Sequence, residues 1–180
     1  MNRLQRHLPS VRSRSAVVVM ALGAMVALTA APAPATAELG QTGEGIEVPF
    51  RAEQVPVETS VVDDERCEEG LTVTVISEGR GTHLGRYTAE QVFCGVIDPE
   101  TGVRLLLEGE STVTAADGSQ LFSEFESTET PTEIPGVFEQ DGTVTFVGGT
   151  GRFEGASGSA VISGTSPGVT IIVGTLVLAL

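Results

Sequence analysis

No lysine occurs anywhere in the chain, so any glycine-rich loop here lacks the residue that a nucleotide-binding loop sets against phosphate. Histidine is nearly absent too: His7 lies in a leader-like segment, and His83 is the only other one. One histidine, with no H-x-x-x-H and no cysteine cluster, leaves a histidine-rich metal centre without ligands. A serine nucleophile would have only His83 as its base. No segment carries a helical hydrophobic period, and the apolar run 169–180 is too short to cross a membrane as a helix. These absences leave no metal and no cofactor to expect, and no membrane span beyond the leader.

Positive charge is scarce. The chain has 24 Asp and Glu against 10 basic residues, a net charge of −14. Four of those ten, Arg3, Arg6, Arg12 and Arg14, lie before residue 37, which leaves six against all 24 acids in the remainder. Such a body repels nucleic acid and anionic membrane surfaces. The acids are scattered rather than gathered in a tail, which reads as a solvated face.

The first 37 residues read as an export signal. The four arginines form a basic head, residues 16–30 are apolar, and Ala35-Thr36-Ala37 fits a small-x-small cleavage site. Glu38 is then the expected first mature residue, and the compartment is extracellular. Residues 38–47 read as a loose arm and 48–180 as one domain, a length that suits a single core.

Strand signals fill that domain. They fall at 48–52, 71–76, 84–94, 103–115, 120–128, 143–147, 156–165 and 169–178, separated by turns such as Asp98-Pro99-Glu100-Thr101-Gly102, Asp117-Gly118 and Ser166-Pro167-Gly168. Pro56 confines the first strand to an edge or a break. The pattern predicts an all-β, eight-stranded antiparallel barrel, whose closure leaves no unpaired edge. The last strand is apolar on both faces and is expected to be covered on both.

Alternation assigns the faces. Tyr87, Ala89, Gln91 and Phe93 share one side of their strand, and Leu121, Ser123, Phe125 and Ser127 one side of theirs; Glu124 and Glu126 take the other, because an unpaired buried carboxylate is costly. Tyr87, Gln91, Ser123, Phe125 and Phe146 either line a cavity for a small apolar molecule or simply fill the barrel. His83 is either a hydrogen-bonded turn residue or a ligand contact at the barrel mouth.

Val147 to Gly158 holds five glycines in twelve residues with one aromatic, Phe153, in the middle. Gly148, Gly149, Gly151 and Gly155 mark a sharp strand-to-strand corner. Arg152 and Glu154 flank the ring and read as a surface ion pair. Cys67 and Cys94 are the only cysteines, and in an exported chain they are expected to form a disulfide. A hairpin turning with Arg80 opposite Gly81 would set them opposite each other. Two inert buried thiols are the competing reading.

Gly148-Gly149-Thr150-Gly151-Arg152-Phe153-Glu154-Gly155-Ala156-Ser157-Gly158 resembles the GGTGxFxxAxG signature of plant dirigent proteins. Gly81-Thr82-His83-Leu84-Gly85-Arg86-Tyr87 resembles a segment of secreted bacterial proteins with the same barrel. The resemblance implies a calycin-type, allene-oxide-cyclase-like fold, which in plants assembles as a homo-oligomer, often a trimer. Dirigent proteins steer phenol radical coupling, and allene oxide cyclases close a ring on a fatty-acid epoxide. The functional expectations are therefore a secreted, non-catalytic barrel for a small apolar or phenolic ligand, or a secreted cyclase or isomerase that confines its substrate.

Overall fold

The computed structural model describes residues 45–63 and 65–180. The expected export segment, residues 1–37, and residues 38–44 of the expected arm lie outside the described residues. What is described is an all-β closed barrel in which each strand pairs antiparallel with the next, and the last with the first. The strands are β1 (Ile46–Val62), β2 (Leu71–Gly81), β3 (Gly85–Ile97), β4 (Arg104–Ala115), β5 (Gln120–Pro131), β6 (Phe138–Gly149), β7 (Ser157–Ser166) and β8 (Thr170–Leu178). Alternation drives this result: residues of one parity point inward and are buried, while their neighbours, such as Glu90, Glu124 and Glu126, are exposed.

β1 is longer than the sequence pattern predicts. It begins at Ile46, so Ile46 and Glu47 belong to the barrel rather than to an arm. It also runs through Pro56 to Val62. Proline is accommodated because β8 pairs with β1 only as far as Gln54, and the β1–β2 register slips between Pro56 and Glu58. Pro56 therefore sits at a bulge on a stretch with one open side, where no ladder donor is lost.

The outer face of β8 also differs from expectation. Ile171, Val173 and Val177 point away from the interior, and Val173 is 42% exposed. The barrel is a single curved layer, so nothing within the described chain lies over β8.

The disulfide is present: Cys67 and Cys94 are bonded, with Cα atoms 5.6 Å apart. Its geometry is not the expected ladder pair. Thr82-His83-Leu84 occupies the β2–β3 turn, so Gly81 faces Gly85 and the residue opposite Cys94 is Thr72. Cys67 instead lies in the 63–70 loop. This loop folds over the outside of β3, where the Thr72 hydroxyl donates to Cys67 Sγ at 3.3 Å. Arg66 anchors the same loop by donating to the Glu108 carbonyl at 3.0 Å. Glu108 is available there because β4 carries an extra residue that puts it at φ 52°.

The two ends of the barrel are unlike. At one end lie the β2–β3, β4–β5 and β6–β7 turns. The glycine-rich corner closes this end: residues Gly151–Phe153 form a short 3₁₀ turn that drops the Phe153 ring into the core at 0% exposure. Gly151 takes φ 60°, and a side chain there would press on Ser119. Arg152 lies over the Phe153 ring, pairs with Asp117 of the β4–β5 turn, and donates to the Leu84 carbonyl of the β2–β3 turn at 3.5 Å. Its partner is thus Asp117, not Glu154, and it ties together the three turns of this end. The Ser119 backbone N–H, and next Arg152, hold the Asp117 carboxyl below its ordinary pKa. The other end carries the 63–70, 98–103, 132–137 and 167–169 connections.

Candidate ligand cavity

The barrel interior is not filled. A cavity of about 440 Å³ runs down it, within the ordinary size of small-molecule sites. Its floor is at the plugged end, on buried Phe50, Leu84, Leu121 and Phe146. Its rim is at the other end, on Val61, Leu71, Ile97 and Pro167, all exposed. Two edge-on aromatic pairs stiffen the wall, Phe50–Phe146 at 4.8 Å and Phe93–Phe125 at 5.9 Å between ring centres.

Tyr87, Gln91, Ser123, Phe125 and Phe146 all lie on the cavity wall. His83 does not. It is exposed in the β2–β3 turn at the plugged end, at φ 60°, away from the rim. A turn that reverses a strand in three residues needs a left-handed position, which His83 supplies.

Sequence reasoning missed several polar wall residues. Tyr87 Oη donates to Gln54 Oε1 at 3.3 Å, and Gln54 Nε2 donates to Gln91 Oε1 at 3.2 Å. Ser77 Oγ donates to the same Gln91 oxygen at 3.2 Å. Gln54 and Ser77 become visible once β1 and β2 extend in phase with Ala52 and Val75. The Tyr87 ring can lie flat here because residue 79 is glycine. A Cβ at Gly79 would overlap the Glu53 carbonyl and stand 2.5 Å from the ring.

Near the rim, Arg104 and Glu129 face each other across β4 and β5 and pair at 3.3 Å. Glu129 is 7% exposed, against the expectation that acids stay outside. β5 keeps its alternation for two residues longer than expected, which turns Glu129 inward. The Arg104 guanidinium meets it there and lies 3.7 Å from the centre of the Phe138 ring. Among the described residues these two are the only charged ones on the cavity wall, and they neutralise each other. Deeper polarity comes from hydroxyls and amides. Among the described residues, no group of three or more His, Cys, Asp or Glu could hold a metal ion.

Burial, and next the negative charge of Glu53, push the Tyr87 hydroxyl well above its ordinary pKa of 10.0. The fold thus favours the neutral phenol. That contribution to stability is complete below about pH 10 and is lost as pH rises beyond it. Tyr87 is the only tyrosine and there is no tryptophan, so near-ultraviolet tyrosinate absorbance reads this one group. A base titration of the folded protein should show no tyrosinate at pH values where urea-unfolded protein is fully ionised. Coincident curves would place the hydroxyl in water.

The fold and cavity define an antiparallel barrel with one open end and a mostly apolar interior. No family model matches the chain, and no curated protein matches it. Among solved structures, a pterocarpan synthase dirigent protein matches with a TM-score of 0.42 and 14% identity, over 75% of this chain and 89% of that one. The barrel itself is given by the eight strand pairings.

Proposed function

We propose that the protein is an exported, dirigent-like barrel that holds a small apolar or phenolic molecule in its interior and does no covalent chemistry of its own. The observation that carries this reading is the open cavity, walled by Phe, Leu, Ile and Val with a few fixed amides and hydroxyls. The glycine-rich signature around Phe153 supports the dirigent comparison. The export reading is supported by the basic–apolar–small order of residues 1–37 and by a disulfide, which persists in oxidising compartments. Among the described residues no helix is long and apolar enough to cross a membrane. Exposed Glu124 and Glu126 on the outside of β5 would be costly against lipid. The homo-oligomer implied by the resemblance belongs to the same proposal.

A second reading, a cyclase or isomerase, is favoured by one feature: the hydrogen-bonded Tyr87–Gln54–Gln91–Ser77 set on the wall of an open cavity. Confinement of a substrate in a reactive shape needs little more than such positioning groups. Binding remains the preferred reading because, among the described residues, no ionisable group stands unpaired at the cavity wall to move a proton.

Native mass spectrometry of protein taken from the medium tests the proposal. A non-covalent adduct of small mass, lost on acid unfolding, is the expected result, and the same spectrum gives the subunit count. In parallel, a small neutral aromatic should change the fluorescence of Tyr87. Protein that carries nothing and takes up no such probe would defeat the binding reading. A bound compound released in a rearranged form would favour the cyclase.

A further inference from the structure

Gln91, Ser111 and Ser123 stand in one row around the cavity. Gln91 pairs with Ser111 across β3 and β4, and Ser111 pairs with Ser123 across β4 and β5. Side chains directly opposite each other in such pairs have Cβ atoms about 4.5–5.5 Å apart, so the row spans roughly twice that length along the wall. All three line the cavity.

Their hydrogen-bonding capacity is unequally used. The Gln91 oxygen accepts from both Gln54 and Ser77. Tyr87 Oη lies 3.3 Å from the oxygen of Gln54 and 3.4 Å from the Glu53 carbonyl, and the Gln54 nitrogen faces Gln91. The Gln91 –NH₂ therefore has no acceptor among the described residues. The hydroxyls of Ser111 and Ser123 likewise make no hydrogen bond among the described residues. Deep in the cavity, the facing strands β6–β8 offer carbon instead, from Val144, Phe146, Ile162 and Ile172. The interior thus presents the Gln91 –NH₂, which can only donate, and two hydroxyls, which donate or accept, on one side and hydrocarbon on the other. Among the described residues of the wall, no uncompensated charge is available to meet an ionic ligand.

We infer that Gln91, Ser111 and Ser123 form the specificity-determining row of the cavity. They select a neutral, mainly apolar molecule that carries an acceptor oxygen, such as a ketone, lactone or ether, along one edge. This rests on the reading of the cavity as a binding site, and names what that site would choose. A molecule without the oxygen would leave the Gln91 –NH₂ dry and unpaired. A charged one would lose its hydration with nothing to replace it.

Three rigid tricyclic probes of nearly equal shape separate the possibilities: fluorenone, with an acceptor oxygen; fluorene, with neither donor nor acceptor; and carbazole, with a donor N–H. Binding is read by calorimetry and by Tyr87 fluorescence. Fluorenone should bind about three- to tenfold more tightly than fluorene, the worth of one net hydrogen bond, with carbazole below fluorenone. The Gln54→Met/Ser77→Ala/Gln91→Met variant, which removes Gln91 together with the two donors that would otherwise lose their acceptor, should bring the fluorenone-to-fluorene ratio towards one. Ser111→Ala/Ser123→Ala leaves the Tyr87–Gln54–Gln91 chain intact and should lower the ratio in part, so it carries the test if the Gln91 variant does not fold. Equal binding of all three probes, a preference for carbazole, or a ratio unchanged in the variants would overturn the inference and leave the cavity as a site. Failure of all three to bind would remove the binding reading itself, and the row with it.

Discussion

Phe153→Ala is expected to lower stability by about 3–5 kcal/mol, the range for truncating a fully buried aromatic ring. The ring has no exposed surface, and the nearby glycines Gly149, Gly151 and Gly155 cannot close over the space it would leave. Gly149 already lies so close that a Cβ there would be 2.6 Å from the Phe153 Cβ. Relaxation by local collapse is therefore restricted, which puts the cost towards the upper half of that range. Arg152 would also lose the ring it lies against, although its links to Asp117 and Leu84 are not made through the ring. Equilibrium urea unfolding should show a lower midpoint with an unchanged slope, because the surface exposed on unfolding hardly changes. A loss under about 1 kcal/mol would mean that the ring can be spared and that the floor of the barrel is held by the turns alone.

Removing the disulfide by Cys67→Ala/Cys94→Ala should cost about 3.5 kcal/mol. That is the chain-entropy value for a cross-link between cysteines separated by 27 positions in sequence. The constraint acts mainly on the unfolded chain, since the β2–β3 ladder it encloses is already complete from Leu71↔Gly95 to Gly81↔Gly85. In the folded protein the change falls on the 63–70 loop, which keeps its Arg66 anchor but loses the bond that holds it over β3. Denaturation with and without a thiol reductant should therefore give different midpoints for the natural chain and identical ones for the variant. Hydrogen exchange should quicken in the loop while the ladder stays protected. Identical midpoints for the natural chain in both conditions would show that the cross-link restricts nothing that matters to folding.

The barrel was legible because local and global signals agree over most of its length. Alternation in 84–94 and 120–128 assigns Tyr87, Gln91, Ser123 and Phe125 to one surface, and closing the sheet makes that surface the inside. The glycine-rich corner was legible for a similar reason: positive φ and close approach are demands that few residues other than glycine meet. What stayed hidden depends on pairing between distant segments. That β1 continues past Pro56 is decided by where β8 stops pairing with it, which no window around Pro56 records. The position of Cys67 depends on how many residues the β2–β3 turn consumes. A turn of three residues rather than none, starting one position later, moves the residue opposite Cys94 from 67 to 72. Glu129 reads as a loop acid until Arg104 is known to be its cross-strand neighbour. Gln54, Ser77 and Ser111 carry no motif at all. They become candidates only when the wall they share is assembled.

The pairing of β1 with β8, from Ile46↔Leu178 to Gln54↔Thr170, sets an order of events for a chain that emerges gradually. Seven strands can meet their neighbours as they arrive, but the sheet cannot close until the eighth is available, so β1 and β7 wait with open edges. Contacts between segments this far apart in sequence are slow to form, and open edges invite pairing with other chains. The strand awaited is also the least protected in solution: from Ala156 to Leu180 there is not one charged residue. The acids crowded into the preceding strands and turns keep the waiting intermediate soluble through mutual repulsion. A shortage of positive charge thus guards the protein during the interval before its ends are joined.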